Sequence, residues 1–307
     1  MEKKTNGLSR RDFLRTTGLA TAGLMLGGLS PLSAFGAADP KKKPTAAATD
    51  RVRLACIGIG NRGWDLVKEF GSSGLADIVA LCDVDLDAEF CQKALAAHPG
   101  AKRYRDFRKM FDEMALQIDA VAVAIPDHSH FPATMLALSL GKHVYVEKPM
   151  ARTFYEAQLM MDMAARNPQL ATQVGNQGHS EANYFQFKAW MDAGIIKDVT
   201  EVTAHMNSAR RWHGWDQNIR KFPDSQPLPP GMDWNTWLGT AGWHDFNHKF
   251  HPGDWRSWYD FGMGRWATGE PTFSTQCMNS SSWGCHMKWS RSNLWGTTTF
   301  SSRSPLP

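Results

Sequence analysis

Val52-Arg53-Leu54-Ala55-Cys56-Ile57-Gly58-Ile59-Gly60-Asn61-Arg62-Gly63 is the stretch that decides the fold of this 307-residue chain. Its first six residues form an apolar run of strand length with one charge, which reads as a buried parallel strand. The residues that follow, Trp64 to Phe70, read as a helix. Glycines at 58, 60 and 63 between a strand and a helix suit a dinucleotide pyrophosphate, because the helix N-terminus presents unpaired amides to negative charge. Gly58 permits the tight turn, Gly60 lets the backbone approach the phosphates, and Gly63 lets the helix lie close to the strand. Asn61 and Arg62, inside the same turn, complete the candidate phosphate-binding set.

Outward from this turn, Ile78 to Cys82 reads as a second strand ending in Asp83, at the distance where such folds place the acid that accepts from the ribose hydroxyls. An acid there repels a 2′-phosphate, so NAD is favoured over NADP. The alternation continues with a short strand at Lys102–Tyr104, a helix at Phe107–Met114, a strand at Ala120–Ile125, a helix at His130–Leu140 and a strand at His143–Val146. This order predicts an α/β class, with a doubly wound parallel Rossmann sheet over residues 51–178. Ile125-Pro126-Asp127-His128-Ser129-His130 falls at the carboxyl end of a strand, where ligands bind in such sheets, so Pro126, His128 and His130 are candidate cofactor contacts. Capping of the next helix is an equal alternative for either histidine.

Residues 1–38 differ in kind from the rest. Ser9-Arg10-Arg11-Asp12-Phe13-Leu14-Arg15 is a twin-arginine pattern, followed by a mildly apolar Gly- and Ala-rich run from Thr17 to Leu29 and the small residues Ala34-Phe35-Gly36-Ala37-Ala38. The expectation is an export signal cleaved near Ala38, read by the twin-arginine machinery, which places the folded protein in the periplasm or otherwise outside the cytoplasm. Its removal takes away five basic and two acidic residues, so the formal charge falls from +4 to +1. Lys41-Lys42-Lys43 lies in an Ala/Thr/Pro linker, residues 39–50, and reads as a solvated tether, so no nucleic-acid partner is expected. The five cysteines show no C-x-x-C or metal-ligand spacing, and neither a disulfide framework nor a metal site is expected.

Several motifs in order, covering roughly residues 51–264, resemble the glucose-fructose oxidoreductase, inositol dehydrogenase and MocA (Gfo/Idh/MocA) family of NAD(P)-dependent oxidoreductases. They are Gly58 to Gly63, Asp83, Ile125 to His130, Val146-Glu147-Lys148-Pro149-Met150 and Gln173-Val174-Gly175-Asn176-Gln177-Gly178-His179. The resemblance implies that Glu147 contacts the nicotinamide ribose, that Lys148 lies beside the nicotinamide and the substrate hydroxyl, and that Asn176 faces the cofactor from the last strand. It also implies a Rossmann domain joined to an α+β open-sheet domain, a sugar, cyclitol or polyol substrate, and association of intact members into homo-oligomers. The chemistry suits the residue types: hydride departs to nicotinamide while a lysine takes or shares the hydroxyl proton. Related glycoside hydrolases that use bound NAD are the alternative activity, and an inactive NAD-binding fragment is a third reading.

The start of the second domain is expected at residues 179–264, with a helix over Glu181–Asp192 and a strand over Val199–Met206. Trp212, Trp215, Trp234, Trp237, Trp243, Trp255 and Trp258 then follow in a connection that reads as core or interface ahead of a sugar-stacking platform. Within it, His251 to Gly262 resembles a family segment near the active site, with Arg256 a contact to cofactor or substrate.

From Trp266 to Pro307 there is no Val, Ile or Asp and there are 15 Ser or Thr, so no strand or amphipathic helix is expected and residues 265–307 read as an aberrant, disordered tail. The family instead continues with Gly-Asp-x-Gly-x-His-x-x-Asp, which carries a catalytic Asp and His. Reading the degenerate codons from Arg265 one base out of frame permits Leu-Gly-Asp-Trp-Gly-Ala-His-Ile-Phe-Asp, which restores that motif. A frameshift next to Gly264 is therefore the expectation, and no catalytic Asp or His is assigned in this frame.

Overall fold

The computed structural model describes residues 50–197 and 221–262, and the backbone of 286–291 and 298–303. The export signal, the linker up to Thr49, the strand expected at Val199–Met206, Trp212 and Trp215 lie outside the described residues.

Six parallel strands form one sheet: β1 (Val52–Ile57), β2 (Ala76–Cys82), β3 (Lys102–Tyr104), β4 (Ala120–Val123), β5 (His143–Glu147) and β6 (Thr172–Gly175). Their spatial order is β3-β2-β1-β4-β5-β6, the doubly wound arrangement that the alternation predicted. Ile57, the last residue of β1, is registered with Cys82 on one side and Val123 on the other. The order reverses between β1 and β4, and a ligand crevice opens at that point because the connections leave the two strands in opposite directions.

Helices cover both faces. On one side α1 (Arg62–Ser72) and α2 (Glu89–Ala97) bury Leu66, Val67, Cys91, Ala94 and Leu95 against Leu54, Cys56 and Leu81. On the other, α3 (Phe107–Met114), α4 (Asp127–Ser139) and α5 (Phe154–Arg166) bury Met110, Phe111, Met114, Ala133, Ala137, Leu138 and Met160 against Ala55, Ile57, Val121 and Val123. Alternate residues of β1 thus feed opposite cores, as the strand period requires. The thiols of Cys56, Cys82 and Cys91 are free and buried.

After β6, helix α6 (Ala182–Asp192) agrees with the expected span to one residue. Residues 221–262 then fold around α7 (Trp234–Leu238) into an aromatic core of their own, in which Met232, Trp234, Trp237, Phe246, Phe250, Trp255, Trp258 and Phe261 are buried. Trp234 stacks on Trp237 with ring centroids 4.4 Å apart. Four of the tryptophans weighed as a sugar platform are therefore core, while Trp243 is exposed.

Two expectations are corrected, and two helices are added. Helix α4 begins at Asp127, ahead of His130, because Pro126 with its fixed φ sits just outside the first turn. Helices α2 and α5 were not anticipated. The segment expected to hold no strand pairs β7 (His286–Arg291) antiparallel with β8 (Thr298–Arg303), placing Trp289 opposite Phe300.

Candidate functional site

The glycine turn has the geometry its spacing implied. Gly58 has φ +80°, a region that residues with a Cβ avoid, and its N–H donates to Cys82 O at 2.8 Å, which extends the β1–β2 pairing into the turn. A Cβ on Gly63 would lie 2.0 Å from Gly58 O, so only glycine lets α1 start this close to β1. Gly60 differs from expectation in one respect: the group that crowds it is the Phe90 ring on α2, 2.2 Å from where a Cβ would be. Asn61 enters the helix with φ 46° and makes no side-chain cap.

Asp83 stands at the carboxyl end of β2 with both oxygens held, Oδ2 accepting from Ile59 N at 3.0 Å and Oδ1 from Asp85 N at 3.1 Å. The first bond ties the acid to the glycine turn itself. Each carboxylate oxygen keeps a lone pair for a further donor, so the acid is fixed in place without being used up.

Arg62, which lines the crevice, is bonded to Glu147 at the end of β5. Arg62, the first residue of α1, reaches across to the last residue of β5, its Nε donating to Glu147 Oε1 at 2.7 Å. Glu147 is buried, and the partner offsets the cost of burying its charge. Burial lowers the Arg62 pKa, but the hydrogen bond and charge of Glu147 together with Tyr145 outweigh this, and the guanidinium is held above its ordinary range.

Gly58, Gly60, Asn61, Arg62, Asp83, Pro126 and Arg256 all line one crevice, closed on the far side by Trp237, His251, Pro252 and Trp255. Arg256 lies over the Trp255 ring, 4.1 Å from its centroid, and donates to Gly253 O at 3.3 Å. His251, whose partner Asp85 Oδ2 is 3.3 Å away, was not anticipated as a site residue. Its sequence signal was its place in the family-like segment. Lys148 follows Glu147 directly at the end of β5, and Asn176 follows β6; neither side chain lines the crevice. Among the described residues no group of three or more His, Cys, Asp or Glu is placed to hold a metal ion.

His128 and His130, candidates for cofactor contact or for capping, do not line the crevice, and each is 1% exposed. His128 Nε2 lies 2.9 Å from Trp237 O and Nδ1 3.2 Å from Phe261 O, while its backbone N–H donates to Phe261 O. Pro132, in the interior of α4, cannot donate to the carbonyl four residues back, and that carbonyl, His128 O, accepts from Thr240 Oγ1 at 3.3 Å instead. One residue thereby fastens the aromatic segment to the sheet domain. His130 Nδ1 lies 2.7 Å from Pro149 O.

Burial keeps these histidines neutral. It pushes the His130 pKa down to about 4, against the hydrogen bond to Pro149, and lowers those of His128, His143 and His251 as well. A depressed folded pKa means that the unfolded chain takes up the proton first. The stability due to His130 is complete above its ordinary pKa of about 6.5 and is lost as pH falls towards 4, a loss of roughly 3 kcal/mol. Urea unfolding at pH 7.0 and 4.5 checks this: the midpoint is expected to drop sharply at the lower pH, and an unchanged midpoint contradicts the burial argument.

Comparison with known proteins agrees with this geometry. Residues 52–175 match the Gfo/Idh/MocA family model, described as an oxidoreductase family with an NAD-binding Rossmann fold. A glycosyl hydrolase family 109 protein of Saccharopolyspora erythraea is 32% identical over 193 residues, which is 59% of this chain and 42% of that protein. Another of that description from Streptomyces filamentosus is 31% identical over 271 residues, 80% of this chain and 53% of its own length. The chain thus spans about half or less of the curated relatives it matches. Among solved structures, myo-inositol dehydrogenase from Lactobacillus casei in complex with NAD(H) and myo-inositol is 26% identical with a TM-score of 0.45, covering 51% of this chain and 46% of that one. The family-model match covers the whole six-stranded Rossmann sheet, from β1 to the end of β6.

Proposed function

We propose that this chain carries the cofactor half of an NAD-dependent oxidoreductase acting on a secondary alcohol of a sugar, cyclitol or related polyol. The observation that carries the reading is the Arg62–Glu147 bridge, which brings the phosphate turn and the Glu147-Lys148-Pro149 step to one end of one sheet. NAD, when bound, supplies the hydride acceptor. The chain's own residues do the rest. Asp83, held by the Ile59 and Asp85 amides, accepts from the adenosine ribose and disfavours a 2′-phosphate. The amides at the start of α1 face the pyrophosphate. Lys148 takes the hydroxyl proton or polarises the oxygen. The test is a fluorescence titration with NADH followed by a polyol screen for NADH formation; no binding of NADH sinks the proposal.

A second reading, hydrolysis of a glycoside through bound NAD, is favoured by the names of the curated relatives. It predicts release of nitrophenol from a nitrophenyl glycoside with no net NADH, whereas the oxidoreductase accumulates NADH. Lys148→Met separates the lysine's chemistry from cofactor binding: turnover is expected to fall by about 10²-fold or more, with NADH affinity held. We further propose that residues 1–38 direct twin-arginine export, tested by fractionating cells that make the Arg10→Lys, Arg11→Lys variant. We also propose that the reading frame changes next to Gly264, tested by sequencing the locus.

A further inference from the structure

We propose that His130 is a positioning residue for Lys148, acting through the carbonyl of Pro149. The inference rests on the reading of Lys148 as the acid/base group. On its upstream side Lys148 is fixed by β5, whose last residue Glu147 is registered with Gly175 and gripped by Arg62. On its downstream side the chain leaves the sheet as Pro149-Met150-Ala151-Arg152. Pro149 has no N–H, so its carbonyl is the one backbone group by which residue 149 can be held. His130 Nδ1 takes that carbonyl at 2.7 Å. Three residues on, Arg152 Nη1 donates to Tyr259 O at 2.9 Å and to Asp260 O at 3.2 Å. Lys148 therefore sits between a strand end and a carbonyl anchored from α4.

The chemistry of the anchor is specific. A carbonyl only accepts, so His130 carries its proton on Nδ1 and a lone pair on Nε2. The ring is 1% exposed, and Arg256 and His128, the charged and titratable groups that bear on it, both oppose a second proton. Nε2 has no partner in the structure, and neither does Thr134 Oγ1, one turn further along the same helix. The ring's short hydrogen bond is thus the one to Pro149, with a lesser contact to the Ile125 backbone, which is the pattern of a residue that orients its neighbour.

The test uses the full chain. Nitrogen-15 spectra of histidine-labelled protein are expected to show His130 as the Nδ1–H tautomer. The pH profile of Lys148 acylation by acetic anhydride, read by peptide mass spectrometry with and without NADH, reports the lysine directly. His130→Asn puts an amide nitrogen where Nδ1 was and is expected to leave the Lys148 midpoint within about 0.3 pH unit; His130→Gln puts it where Nε2 was and is expected to move the midpoint by about one unit, with NADH affinity within about threefold. A native midpoint in folded His130→Gln overturns the proposal, as does a His130→Asn profile displaced as far as that of His130→Gln, or an Nε2–H tautomer. If His130→Gln does not fold, the tautomer and the His130→Asn profile decide. Failure of NADH to protect native Lys148 sinks the functional reading instead, and leaves the midpoint comparison to judge His130 separately.

Discussion

Gly63→Ala is expected to abolish NADH binding and to cost the sheet domain several kcal/mol. The added Cβ falls 2.0 Å from Gly58 O and 2.6 Å from Gly58 C, both backbone atoms that no rotamer change can move. Relief requires α1 to withdraw by roughly 1.5 Å to reach ordinary contact distance, and overpacking that displaces backbone costs about 3 kcal/mol or more. Withdrawal pulls Leu66 and Val67 out of the core they share with Leu54 and Cys56, and carries the helix's leading amides away from the crevice. Two other glycines calibrate the effect. Gly60→Ala meets the edge of the Phe90 ring, a side chain that can turn aside, so a smaller loss is expected. Gly100→Ala meets nothing within 4 Å and is expected to be neutral. Thermal melting and NADH fluorescence on the three variants give the comparison, and native NADH affinity in Gly63→Ala contradicts the close-approach argument.

That prediction was available from the glycine spacing before any coordinates, and the reason is physical. A strand with alternate residues feeding two cores, a turn with a positive φ and a helix in near contact are all local demands, so they leave local marks at Gly58 and Gly63. Asp83 was legible for the same reason, since a fixed strand length sets its distance from the turn. Helix α2 was not, because Cys91, Ala94 and Leu95, two of them small, give a nine-residue helix a weak apolar face. Helix α5 was harder still: Met160 is its one buried residue, and its capping box at Thr153 and Glu156 was the available signal. The partners of His128 lay beyond any spacing argument. Trp237 and Phe261 are 109 and 133 residues away in sequence, so a histidine at a strand's carboxyl end read equally well as a ligand contact or a cap.

His128→Phe is the variant that separates those roles. A phenyl ring keeps the packing against Trp237 and Phe261, whose rings lie 5.3 and 5.4 Å from that of His128, but offers nothing to the two carbonyls its nitrogens face. A neutral imidazole has one N–H, and the shorter contact, Nε2 to Trp237 O at 2.9 Å, is where it belongs; Phe261 O is already served by the backbone N–H of His128. The substitution therefore strands chiefly the Trp237 carbonyl in an aromatic core, and a buried carbonyl without a donor costs about 1–3 kcal/mol. The loss falls on the attachment of residues 221–262 and not on the sheet. Trp234, Trp237, Trp255 and Trp258 are all buried there, so their emission is expected to shift to the red and cleavage within the segment to accelerate. NADH binding is expected to weaken in step, because Trp237, His251, Trp255 and Arg256 form the far side of the crevice. If His128 instead served the cofactor directly, NADH affinity would fall while tryptophan emission and protease resistance stayed native, and that outcome would refute the clamp.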